Sequence, residues 1–192
     1  MVTKTEVQGF FAGVEGDQDA GGRTLLPTKE KDGAPQGSLY LMRFVEGAVE
    51  IRYAASDSHP YINYRAEVVE PEEYAERAVF GMFFPPREPA EDANEETHES
   101  YDNQRRRLAG QIDAVLGPGT CAALHGQTAE AVLTELVELL ENTSFVAKLG
   151  IERGKKRDPD DESKDAERYP DRNRISHFDP AESWHMDEDL PF

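Results

Sequence analysis

The stretch from Tyr61 to Val69 is the strongest constraint on what this chain can fold into. Ile62, Tyr64, Ala66 and Val68 alternate without a break with Tyr61, Asn63, Arg65 and Glu67. Side chains on an extended backbone point alternately to opposite faces, so the stretch predicts a strand with one face in a core and the other in water. Shorter runs around it follow suit. Leu39 to Val45 and Val49 to Tyr53, broken by Glu46-Gly47, predict a strand and a hairpin. Arg77 to Phe84 predicts another strand, with Phe80, Met82 and Phe84 on one side and Val79 and Phe83 on the other. Phe44, Phe80 and Phe84 are assigned to the core, because a ring in a strand is more often core than surface.

Pro85-Pro86 stops that strand, and residues 85–100, acidic and nearly free of apolar side chains, predict an exposed loop. The period then changes. Tyr101 to Leu116 reads as a helix with Leu108, Ile112, Val115 and Leu116 at core spacing, ended by Gly117-Pro118-Gly119. Thr128 can cap a second helix, whose stripe is Val132, Leu133, Leu136, Val137 and Leu140 and whose end is Asn142. A strand is predicted over Ser144 to Glu152, a charged loop over residues 154–172, and a last short strand over Asn173 to Phe178. Asp179-Pro180 opens a tail. At the other end, Phe10 to Val14 predicts a first strand or arm, followed by a loop rich in Gly, Asp and Lys through Gly37.

Several strands, a pair of helices and two more strands, with no internal repeat, predict a β-rich α+β fold. The strand count fits a five-stranded antiparallel barrel of the oligonucleotide-binding type (OB-fold), with the two helices inserted between strands. The domain is expected to span 1–178, and a disordered acidic tail 179–192.

With a formal net charge of -18, the chain is a poor match for a simple nucleic-acid binder. The charge is unevenly spread, however. Glu67 to Asp102 holds 12 carboxylates against Arg77 and Arg87, and from Asp179 onward there are 5 carboxylates and no Lys or Arg, which leaves the rest able to carry a basic face. A groove for single-stranded nucleic acid needs cations along its path and rings for the bases. The candidates are Tyr40, Arg43, Arg52, Tyr53, Tyr61 and Arg65 on the early strands, and Lys148, Arg153, Lys155, Lys156 and Arg157 on the late strand and loop. Tyr61 and Arg65 are the sharpest pair, since the alternation puts both opposite Ile62 and Tyr64. Arg105, Arg106 and Arg107 spread around their helix and are read as solvated.

Nothing in the sequence spells out an enzyme. No phosphate-binding loop, nucleotide fingerprint or nucleophile elbow occurs, and His59, His98, His125, His177 and His185 form no metal-ligand spacing. No catalytic residue, metal or cofactor is expected. The single Cys121 cannot form an internal disulfide, and neither a leader nor an apolar run of about 18 residues is evident. The expectation is a soluble, cytoplasmic protein without a membrane partner.

The last six residues, Asp187-Glu188-Asp189-Leu190-Pro191-Phe192, put three carboxylates ahead of a stiffened apolar tip. Such a peptide suits a pocket for the Phe192 ring with cations at its rim. The tip resembles the end of bacterial and phage single-stranded DNA-binding proteins, where acidic residues precede Ile or Leu and a terminal Pro-Phe. Gly150-Ile151-Glu152-Arg153, a charged loop, and Asn173-Arg174-Ile175 are similar to the corresponding strands of phage proteins of that type, over roughly Ser38 to Phe178. The resemblance implies a protein that coats single-stranded DNA in replication or recombination, in a bacterial host's cytoplasm if phage-encoded. It also implies replication or recombination proteins recruited through Asp187 to Phe192, and homo-oligomers are possible. The competing expectation is an acidic interaction adaptor or DNA-mimic inhibitor that docks on replication proteins without binding DNA.

Overall fold

The computed structural model describes residues 25–31, 34–36, 38–124, 128–157 and 167–184. The predicted Phe10–Val14 arm lies outside them. A two-stranded ribbon, β1 (Lys29–Lys31) and β2 (Ala34–Gln36), occupies part of what reads as loop. Just before it, the N–H of Leu26 donates to Asn173 Oδ1 at 2.7 Å, and Asn173 Nδ2 donates back to the Leu26 carbonyl at 3.1 Å. Leu26 is thereby pinned to the last strand and is buried.

The main sheet has the order β5-β4-β3-β6-β7, with β3 (Ser38–Tyr53), β4 (Pro60–Glu70), β5 (Ala78–Phe83), β6 (Ser144–Glu152) and β7 (Arg172–Pro180), every neighbour antiparallel. It is an open sheet, and β5 and β7 are its edges. Three helices complete a β-rich α+β fold among the described residues: α1 (Glu95–Leu116), the single turn α2 (Thr120–Ala123) and α3 (Ala129–Leu140). α3 packs on β3 and α1 on β7.

The inward alternation of β4 is as predicted, with Ile62, Tyr64, Ala66 and Val68 all buried. They meet Phe44, which stacks on Phe145 with centroids 4.5 Å apart and takes the edge of Tyr64 at 5.1 Å. Burial of each such ring contributes about 1.5–3 kcal/mol, so this cluster is the centre of the core. The predicted β6 and the Thr128-capped α3 also form, the Thr128 hydroxyl accepting from the Ala131 N–H at 3.3 Å.

Four expectations need correction. Glu46-Gly47 makes no hairpin. Phe44 pairs with Ala66 and Val49 already with Tyr64, so Val45 to Ala48 bulge out of one continuous strand that keeps the same partner. Gly47 takes φ +70, a value that suits glycine, and its N–H donates to Glu141. The loop at 85–100 is shorter than expected, since Asn94 caps α1 by accepting from the Thr97 N–H at 2.8 Å and Glu95 and Glu96 favour the helix N-terminus. The loop at 154–172 has paired arms, with Arg157 N–H on the Glu167 carbonyl and Tyr169 N–H on the Lys155 carbonyl. The tail starts later than Asp179. β7 runs through Pro180, one turn of 3₁₀ helix (Ala181–Ser183) packs on β6, and the Trp184 indole N–H donates to Glu70 Oε2 at 2.7 Å.

Among the described residues no helix is long and apolar enough to cross a membrane.

Candidate nucleic-acid interface

Gly81 decides which face of β5 is turned outward. It lies opposite Tyr64 in the register, and a Cβ there would collide with the Tyr64 hydroxyl. The Tyr64 ring therefore fills the inward space, flanked by buried Val79 and Phe83, and Phe80, Met82 and Phe84 must point the other way. They are 64%, 55% and 41% exposed. The assignment of Phe80 and Phe84 to the core is thus overturned. A ring in a strand is more often core than surface, but here the fit of Tyr64 over Gly81 overrides that preference.

The register then lays these groups in rows across β3, β4 and β5. Arg52 stands beside Tyr61, and the Tyr61 ring lies against Phe84. Glu50, Asn63 and Met82 form the next row, Arg65 and Phe80 the third, and Arg43, Glu67 and Ala78 the fourth. His59 extends the first row, its ring 5.2 Å from Phe84 and its Nε2 2.7 Å from the Pro85 carbonyl. Exposed apolar groups gathered on one sheet face mark an interaction surface, in contrast to rings scattered singly.

Three arginines near this face carry local partners. Arg52 Nε donates to Glu50 at 2.7 Å, Arg65 pairs with Glu67, and Arg87 pairs with Asp57. The exposed pairs of Arg52 and Arg87 are worth about 0–1 kcal/mol, so a phosphate can exchange with the carboxylate there at little cost. Arg65 Nε is buried with no hydrogen-bond partner among the described residues, so its pairing leaves the guanidinium incompletely satisfied.

Of the residues singled out by sequence, Tyr61, Arg65 and Arg52 are brought together. Arg43 is exposed on the same outer face, at its far end beside Glu67. Tyr53 has the inward parity of Val49 and Ile51 but lies past the core, 60% exposed. Tyr40 is not on the surface at all. It is fully buried, its hydroxyl donates to the Pro27 carbonyl at 2.7 Å, and burial, with Tyr74 beside it, holds that hydroxyl's pKa well above the ordinary tyrosine value. Its removal from the candidate list follows from the alternation of β3, which sends Tyr40, Met42 and Phe44 inward together.

Lys148 is exposed on β6 opposite His177, away from the aromatic rows. Arg153, Lys155, Lys156 and Arg157 follow β6 at the root of the loop, where Arg157 lies over the Tyr169 ring and pairs with Glu167 at 2.7 Å. Glu152 and Arg172, which lead into this loop, line the same groove as Phe80 and Met82, so the loop root borders the aromatic face. Asp187, Glu188, Asp189, Leu190, Pro191 and Phe192 lie outside the described residues.

Sequence reasoning missed His59, Phe80, Met82 and Phe84 as surface groups. The available signal was Gly81, a residue too small to fill a core position unless a large neighbour from the next strand does so. Comparison with protein-family models, with curated proteins and with solved structures finds no match.

Proposed function

We propose that the protein binds single-stranded DNA through the outer face of β3, β4 and β5, with the bases on Tyr61, Phe84 and Phe80 and the backbone along Arg52, Arg65 and the basic loop root. The observation that carries this reading is the set of exposed rings in register with arginines on one sheet face. Stacking on aromatic groups and cations along the backbone are the two elements of sequence-tolerant single-strand binding.

The strand order supports an OB-fold reading. Three meandering strands, then helices, then two strands that return to the first is a connectivity that closes into such a barrel when the two edges meet. Here the rings of Phe83 and Phe178 approach to 5.4 Å across those edges. The second and third strands of that fold, and the loop between its last two, are where oligonucleotides bind. They correspond to β4, β5 and the loop bearing Lys155 to Arg157. In this reading the protein coats DNA during replication or recombination and recruits other proteins through Asp187 to Phe192.

The second reading, an acidic adaptor or DNA mimic, draws support from the net charge of -18 and from the carboxylates paired to Arg52 and Arg65. An electrophoretic mobility shift with labelled single and double strands at several salt concentrations separates the two. The proposal expects preference for the single strand and affinity that falls as salt rises. Equal affinity for a duplex, or no binding to either, favours the adaptor.

A further inference from the structure

We infer that the groove between β5, β7 and α1 holds one nucleotide unit of the bound strand, its phosphate on Arg107 and Arg174 and its base against Phe80. The inference rests on the single-stranded DNA reading above and extends the path of the strand beyond the aromatic rows.

Among the described residues no ladder joins β5 to β7, and α1 lies along the gap between them. The groove left there measures about 420 Å³, within the roughly 300–1,000 Å³ typical of small-ligand clefts. Phe80 is part of its lining and is 64% exposed. Tyr64 and Gln111 line it further in, and the Gln111 amide offers both a donor and an acceptor to a base edge.

Arg107 enters from α1 and Arg174 from β7. Both are exposed, and neither has a carboxylate partner among the described residues. Glu152, the one carboxylate in the lining, is already held by Arg172 at 2.9 Å through two guanidinium nitrogens of that residue. The groove is therefore lined by three guanidiniums and a single, engaged carboxylate, in a chain that is strongly acidic elsewhere. Helical geometry turns each successive residue by about 100°, so Arg107 reaches the groove while Arg105 and Arg106 point elsewhere. Arg105 pairs instead with Asp102. Two guanidiniums from different elements suit a phosphate, because each planar fork can donate two N–H bonds to a pair of its oxygens.

The test uses the full chain, a fluorescent oligothymidylate and anisotropy titrations over a series of salt concentrations. Arg107→Gln and Arg174→Gln are each expected to weaken binding roughly 10-fold at low salt. Each should also lower the slope of log affinity against log salt by about 0.7, the value for one lost phosphate contact on a single strand. Thermal unfolding should not move, because both side chains are exposed. If Tyr61→Ala weakens binding while both arginine variants keep the wild-type affinity and slope, the groove inference is overturned and the sheet-face reading stands. If the wild type itself binds no oligothymidylate, both fall together.

Discussion

Tyr61 and Phe84 lie ring against ring on the outer face of the sheet, centroids 5.4 Å apart and planes inclined by 22°. Tyr61 belongs to β4 and Phe84 directly follows the end of β5, and together they form one apolar ledge next to Arg52. Tyr61→Ala and Phe84→Ala should each weaken single-strand binding by about 1–3 kcal/mol, the range for losing one base–ring stack. The double variant should lose less than the two losses combined, because residues in contact are coupled. Anisotropy titration checks this, and unchanged affinity in both single variants would remove the ledge from the binding surface.

Tyr40 should behave in the opposite way. Tyr40→Phe keeps the ring but removes the donor from the half-buried Pro27 carbonyl, a net loss of about 0.5–1.5 kcal/mol. Denaturant unfolding should register that loss, while affinity for single-stranded DNA stays at the wild-type value. A variant of wild-type stability and reduced affinity would restore Tyr40 to the binding face.

How far the sequence carried this picture depends on what kind of information each element needed. β4, β6 and α3 are legible because period and cap are local, and Thr128 and the Ile62-to-Val68 alternation speak for themselves. The outward turn of Phe80 and Phe84 is not local. It depends on Tyr64 reaching across to Gly81, a relation between two strands. The first turns of α1 were hidden for another reason. They are exposed and carry no apolar stripe, so only the Asn94 cap marks their start. Arg107 and Arg174 are 67 positions apart in the numbering, and only the approach of α1 to β7 puts them on one groove.

Asp113 gives the stability a pH dependence with a definite sign. Its carboxylate accepts from the Cys121 N–H at 2.9 Å and the Gly119 N–H at 3.2 Å, which ties α2 to the end of α1. Burial on its own would raise the carboxyl's pKa, but these hydrogen bonds outweigh it and hold the pKa below the ordinary value of 3.8. A depressed folded pKa contributes stability that is present above the unfolded value and is lost as pH falls through the folded one. Chemical denaturation from neutral pH down past 3.8 should therefore show the advantage of wild type over Asp113→Asn shrinking across the acid end. A constant difference would mean that Asp113 acts through packing alone.

Gly154 fixes the root of the basic loop. Its N–H donates to Asp171 Oδ1 at 2.8 Å, its carbonyl accepts from Arg168, and a Cβ would collide with the Tyr169 carbonyl. Gly154→Ala must part the two arms and should destabilise by about 1–3 kcal/mol, as overpacking against backbone does. Amide exchange at Arg157 and Tyr169, whose N–H groups bridge the arms, should speed up. Single-strand affinity should fall with it, because Lys155, Lys156 and Arg157 lose their placement beside the groove. Faster exchange with full affinity would take the loop out of the interface.

Trp184 stands three positions before the acidic run that opens at Asp187. Its indole N–H donates to Glu70 on β4, the strand that also carries Arg65. At about 3.3–3.6 Å per extended residue, the chain from Trp184 to Phe192 has ample length to reach along β4. Its carboxylates are expected to compete with DNA for the cations of that face and to become available to other proteins once DNA is bound. Deleting Asp187 to Phe192 should then tighten single-strand binding, most at low salt, where screening is weakest. Phe192→Ala removes a ring and no charge, so it should leave DNA affinity alone and weaken docking on a protein pocket by at least about 2 kcal/mol. Isothermal titration of both variants with oligothymidylate, and pull-downs of replication and recombination proteins, distinguish the two roles. Equal recovery of those proteins by wild type and Phe192→Ala would show that the ring is not the docking anchor, whatever the deletion does to DNA binding.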